Sequence, residues 1–220
     1  MKKIKNIHIY SEVLSVLAIL ATLIAAPFFY LRFPNLVPTH WGLDGVANGW
    51  SRGYVAAFLF PVIILLVYLL MTYLPKIDPK KKNYEEFEGV YALIKTVIVV
   101  FLALMYFLSS LMDLGYNLRV DVIAPCLVGI IIIIIGSCLD KVKSNWFIGV
   151  RTPWTLSSEE VWKKTHHFSK FVFVIGGALM IISSFVPFWL KPVLFIISLV
   201  VIVILPVAYS YFSHRKIHGK

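Results

Sequence analysis

Six stretches of this chain contain no Asp, Glu, Lys or Arg. They run over 13–31, 53–74, 96–112, 122–139, 171–190 and 192–213. An α-helix needs ~20 apolar residues to cross a hydrocarbon core of ~30 Å. Each run is close to that length, and the third gains a turn if it starts at Val90, giving 90–112, with Lys95 snorkelling toward the headgroups. A block such as GIIIIIIG lacks the strict alternation of a membrane β-strand. The predicted fold is therefore all-α, a polytopic bundle of six transmembrane helices forming a single integral membrane domain over 1–220. The composition agrees, being 60% hydrophobic and 15% charged where a soluble domain is nearer a quarter charged. MKKIK followed by the first run has the look of a signal sequence, but the run exceeds the ~7–15 residues of a signal core and lacks an A-x-A site. It reads as an uncleaved first helix.

The basic residues give an orientation. Of 21 Lys and Arg, sixteen fall at the N-terminus, in the loop after the second span, in the connector before the fifth span and in the C-terminal tail. Arg32, Arg52, Arg119 and Lys191 occupy the opposite side. Positive-inside asymmetry then predicts a multi-pass membrane protein with both termini in the cytoplasm. The formal net charge of +10 reflects this bias together with attraction to anionic membrane lipids. It does not point to direct nucleic-acid binding, because the charges are spread over four segments.

Two connectors are more ordered than tethers need be. Residues 32–52, RFPNLVPTHWGLDGVANGWSR, form the predicted extracellular cap. Pro34 and Pro38 impose extended backbone, while Gly42, Asp44, Gly45, Asn48 and Gly49 supply turns. One reading is an aromatic belt with turns; the other is a small folded cap presenting His40, Trp41, Asp44 and Trp50 to an external ligand. The second connector, 140–170, is predicted to be cytoplasmic. Ser157 and Glu160 make an S-x-x-E capping box, and Val161, Trp162, Thr165 and Phe168 or Ser169 recur at helical spacing. They predict an amphipathic helix on the inner leaflet leading into the fifth span. Arg151 carries a planar fork suited to a carboxylate, a carbonyl cluster or a phosphate. This stretch is either a scaffold joining two helices or a binding element.

Catalytic patterns are missing: no HExxH, GxSxG, Walker A or CxxC occurs. His166 and His167 diverge by ~100° on a helix and cannot share a metal. Cys126 and Cys138 are ~18 Å apart on one helix. Asp113 and Asp121 read as helix-end residues forming a surface ion pair with Arg119. Neither an enzyme nor a metal site or cofactor is predicted.

VPTHWGLDGVANGW resembles the P-x-H-W…G…W signature of a bacterial membrane domain of unknown function, of the DUF1648 type. SNWFIGVRTPWTLSSEEVWKKTHHFSKF resembles the N-x-x-[IL]-G-[IV]-R-T-P-W-T-L…E…W signature of the Sdp immunity-protein (SdpI) family. One departure is HHFSKF, where that family often has a Gly soon after the Thr-His pair. The resemblance spans essentially the whole chain. It implies a self-protection protein guarding a bacterium against a secreted membrane-active peptide toxin. In some systems such a protein also senses the toxin and holds a transcriptional repressor, here an ArsR-type partner, at the membrane. It places Pro38, His40, Trp41, Gly45 and Trp50 toward the toxin. It also makes Asn145, Gly149, Arg151, Thr152, Pro153, Trp154, Thr155, Leu156, Glu160, Trp162 and His166 the cytoplasmic signature. The alternative is a small-solute or lipid transporter, or a channel-like bundle, with Arg151 binding an anionic group.

Overall fold

The structure is a computed structural model that describes residues 2–42 and 44–219, with side chains from His8 onward. The side chains of Lys2, Lys3 and Lys5, and the whole of Lys220, which entered the charge count, lie outside the described residues. Six helices are long and apolar enough to cross a membrane. They are α1 (Lys2–Tyr30), α2 (Gly53–Ile77), α3 (Glu88–Asp113), α4 (Val120–Cys138), α6 (Glu159–Ser183) and α7 (Lys191–His218), with a five-residue α5 (Pro153–Ser157) ahead of α6. Prolines 27, 61, 125 and 206 sit within these helices, as a bilayer tolerates where neighbouring groups re-satisfy the backbone.

Two groups of helices pack around different devices. α1, α2 and α3 share an apolar layer of Ile19, Phe29, Ile64, Val99 and Tyr106. α4, α6 and α7 instead approach closely on small residues, because lipid supplies no hydrophobic drive between helices and contact must come from tight packing. A Cβ on Gly129 would lie 2.6 Å from the Gly177 carbonyl oxygen, and one on Gly177 2.7 Å from that of Gly129. At the end of the bundle that carries the 140–158 connector, a second apolar cluster of Met71, Tyr84, Phe87, Tyr91, Val142 and Trp162 joins the two groups.

Several local expectations change. Residues 36–52 fold as an antiparallel hairpin of β1 (Leu36–Trp41) and β2 (Ala47–Arg52), which was not foreseen as strand. Pro38, lacking an N–H, is tolerated because the register is irregular on either side of His40. The amphipathic stretch before the fifth span does not lie apart from it. α6 is continuous from Glu159 to Ser183, and residues 184–190 turn instead of extending the helix to 190. Its N-cap is Ser158, whose hydroxyl accepts from Val161 N; Ser157 bonds back to the Trp154 carbonyl. The capping box forms one turn earlier, between Thr152 and Thr155.

Lys95 does not snorkel. It is 4% exposed, its Nζ 2.6 Å from Glu12 Oε1 and 3.3 Å from Thr72 Oγ1, above the Tyr68 ring. Glu12 also accepts from Tyr68 at 2.8 Å. A long charged side chain with a carboxylate one helix away gains more from that partner than from reaching for headgroups. Arg119 pairs with Asp121, as does Lys191, whereas Asp113 takes no part in that cluster.

Candidate functional site

The signature residues of the connector are mostly interior. Asn145 is fully buried and organises the first turn: its Oδ1 accepts from Phe147 N and Ile148 N, and its Nδ2 donates to the carbonyls of Lys143 and Ile148. An Asn side chain that mimics backbone in this way is a common means of closing a turn. Gly149 follows with φ +110°, a conformation open to glycine, and a Cβ there would collide with the His166 ring. The vacated space lets Val150 N donate to His166 Nε2 at 3.1 Å. His166 Nδ1 therefore carries the proton, given to the Trp162 carbonyl at 2.9 Å. The imidazole stacks on Trp162 at 4.0 Å, and Trp162 Nε1 donates to the Val142 carbonyl.

Thr152 and Thr155 then start α5 with reciprocal bonds, Thr155 N to Thr152 Oγ1 at 3.2 Å and Thr152 N to Thr155 Oγ1 at 2.9 Å. Thr152 Oγ1 donates to Ser210 on α7, and Trp154 meets the Tyr211 ring edge-on. Leu156 packs on the apolar cluster at this end. Arg151, Pro153 and Glu160 are exposed, as is Trp146. Arg151 Nη1 donates to the Trp146 carbonyl at 2.6 Å, and Glu160 pairs with Lys164. The signature thus divides into a buried knot and a small exposed face.

What holds the knot against the first helix group was not among the sequence candidates. Asp78, 2% exposed at the end of α2, accepts from Lys80 N at 2.6 Å, from Tyr84 OH at 2.9 Å and from Trp146 N at 2.9 Å. Burial, with the Asp78 carboxylate accepting its proton, pushes the Tyr84 phenol above its usual range, so it remains a donor. Lys80 Nζ and Asn83 Nδ2 bond the Ser144 hydroxyl and carbonyl, each at 2.7 Å. The available signal was the aromatic spacing Tyr84, Phe87, Tyr91, which marks an inward face in a loop otherwise dominated by charge.

At the other end, the hairpin brings together its five candidates unevenly. Val37 is buried, Pro38 and Trp41 are half-buried against α2 and α3, and His40 and Trp50 are exposed. The His40 imidazole bonds the Asn48 side chain across the strands. Gly45 takes φ +78° and seats the hairpin turn on Asp121 at the start of α4, where a Cβ would lie 3.2 Å from the Asp121 Cβ. The hairpin therefore rests on both helix groups. Its candidates and those of the connector sit at opposite ends of the bundle and form no common site.

No solved structure matches the chain. A model of DUF1648, a domain of unknown function, matches residues 17–65, which hold the second half of α1, the hairpin and half of α2. A model of the SdpI/YfhL protein family matches residues 141–210, from the connector into α7. The chain is also 28% identical over 209 residues to "Immunity protein SdpI" of Bacillus subtilis (strain 168), covering 94% of this chain and 98% of that protein. With its six membrane-length helices, the chain is a multi-pass membrane protein, similar to the SdpI/YfhL family through the connector that holds the buried knot and to an immunity protein along nearly its whole length.

Proposed function

We propose that this protein is a non-enzymatic immunity protein of the bacterial plasma membrane, protecting the cell that makes it against a secreted membrane-active peptide toxin. The observation that carries this reading is the end-to-end similarity to an immunity protein, which includes the hairpin and the knot alike. The charge asymmetry supports an orientation with the hairpin outside and both termini and the connector inside. In that orientation the hairpin, with its exposed His40 and Trp50, is the toxin-facing element. The small exposed face of Trp146, Arg151, Pro153 and Glu160 is what a cytoplasmic partner, such as an ArsR-type repressor, would touch when toxin is sensed.

A transporter is the competing reading, favoured by the Lys95–Glu12 pair beside a cavity of about 450 Å³ that His8, Glu85 and Glu88 also line. Intramembrane charges often mark ion or substrate paths. Here the charged groups stop at Lys95, and the buried hydroxyls beyond it, Ser15, Thr96 and Thr22, bond one another or α1 carbonyls. One to two turns further, the buried Ile19, Ile64 and Val99 close the first helix group with hydrocarbon. The pair reads as a structural tie in a blind cavity.

The experiment is deletion of the gene, followed by challenge with spent medium from producers of related toxins, with complementation in trans. The expected result is faster killing of the deletion strain and recovery on complementation. Superimposable killing curves for every toxin would remove the proposal.

A further inference from the structure

Beneath the hairpin lies a second, smaller cavity of about 190 Å³. Its walls are Pro38 and Trp41 from β1, Phe60 and Ile63 from α2, and Met105 from α3, with Asp113 at its rim. An apolar cavity of ~150 Å³ inside a protein is large enough to bind benzene. This one therefore has room for one large apolar side chain.

Asp113 makes the cavity unusual. Its Oδ1 is buried and has no hydrogen-bonding partner, one of three such side-chain atoms among the described residues. Native structures leave few buried polar atoms unpaired, and each calls for an explanation. Neighbouring groups do not provide one. Of the cations at this end of the bundle, Arg119 and Lys191 both pair with Asp121, at 2.9 and 2.5 Å, Arg32 donates to the Phe28 carbonyl, and neither Arg32 nor Arg52 forms an ion pair with Asp113. The Tyr106 hydroxyl at the cavity wall donates to the Ala57 carbonyl, and Ser109 Oγ to the Tyr106 carbonyl. A carboxylate oxygen held against hydrocarbon without a cation is complementary to a ligand that brings one.

We propose that this cavity recognises a peptide group consisting of a large apolar side chain next to a primary ammonium, with Asp113 as counter-ion to the ammonium. Such a group occurs wherever a lysine or a free N-terminus adjoins a bulky apolar residue. The inference rests on the immunity reading for its biological partner, since it specifies which chemical feature of a toxin the outer face would engage. It also explains why Pro38 and Trp41 are turned inward while His40 faces out: they are cavity wall.

The test uses the full chain, purified and reconstituted in phosphatidylcholine nanodiscs, with 2-phenylethylammonium and its uncharged counterpart 2-phenylethanol as probes. Binding is measured by calorimetry and corrected for empty discs. Wild type should bind the ammonium at least tenfold more tightly than the alcohol. Asp113→Asn should bring the two within about twofold of each other while retaining the alcohol. Ala56→Phe, which fills the cavity from α2, should abolish binding of both probes. Equal affinities in wild type, or an undiminished preference in Asp113→Asn, would overturn the proposal. Discs containing phosphatidylethanolamine separate the peptide from a lipid amine. Persistence of the preference supports a peptide group, and its disappearance through competition assigns the cavity to lipid and overturns the peptide. Because the readout needs no toxin, a negative killing assay would reject immunity without touching this result. Protection by wild type alongside equal probe affinities would reject this inference alone.

Discussion

Asp78→Ala is the substitution on which the account of the signature connector can be tested most directly. The side chain is 2% exposed and accepts three hydrogen bonds, from Lys80 N, Tyr84 OH and Trp146 N. Alanine removes this acceptor from all three donors, leaving Tyr84 OH only its longer bond to Asn145 Oδ1 at 3.3 Å. A buried unsatisfied donor costs about 1–3 kcal/mol. Lys80 is only half-buried and its N–H can recover water, so the main loss falls on Trp146 N and on the weakened Tyr84 hydroxyl, roughly 3 kcal/mol together. For a chain of this length, each kcal/mol corresponds to about 2–4 °C in Tm, which predicts a fall of roughly 6–12 °C in detergent. The damage should also be local. Trp146 N is the connector's own link to Asp78, so trypsin should cleave at Lys143 or Arg151 in the variant well below its global Tm. Tyr84→Phe alone should cost less, and the double variant should fall short of additivity, because both changes break the same bond. A Tm within 2 °C of wild type and an unchanged trypsin pattern would refute the idea that Asp78 fastens the connector to α2.

The same burial pattern governs three other sites. Lys95→Ala should destabilise by about 3–5 kcal/mol, since it strands Glu12 in a membrane span, whereas Lys95→Met with Glu12→Leu should recover most of that stability; chemical denaturation in micelles reads both, and a double variant no better than the single one would contradict a purely structural pair. Arg151→Ala should insert and unfold like wild type, because the side chain is exposed and makes one bond to the Trp146 carbonyl, yet lose protection in the killing assay, while Gly149→Ala should lose stability through its φ of +110° and its clash with His166; full protection by Arg151→Ala would remove the exposed face from the mechanism.

The six helices were legible because a charge-free run of ~20 residues has few other fates. The remaining features depend on partners distant in sequence. LVPTHW and ANGWSR are short and rich in Pro, Gly and Asn, residues that argue against strand locally. They become strands by pairing with each other across an irregular register. The apolar neighbourhood of Lys95 points its ammonium to the headgroups, whereas Glu12, which keeps it inside, lies 83 residues earlier. Asp78 stood in a loop of mixed charge, with nothing local to link it to Trp146 N 68 residues on. The S-x-x-E pattern at Ser157 was a true helix-start signal displaced by one residue, since Ser158 takes the cap and Thr152 with Thr155 builds the box. The resemblance identified the signature without revealing how it divides between interior and surface.

That division changes how the signature is to be read. Asn145, Thr152, Thr155, Trp162 and His166 are all buried, and each of their polar groups has a specific partner inside the chain. Their replacement should abolish activity by unfolding the knot, whatever the knot does. Loss of function at those positions therefore carries little information about a binding partner. Arg151, Pro153, Glu160 and Trp146 are different, since they are exposed and each can be changed without orphaning a buried group. At the hairpin end the distinction is sharper still. Pro38 and Trp41 wall a cavity whose rim carries an unpaired carboxylate oxygen, while His40 and Trp50 face outward. A defect at Asp113 without loss of stability would thus report on recognition itself, because no hydrogen bond within the protein is given up when that oxygen is replaced.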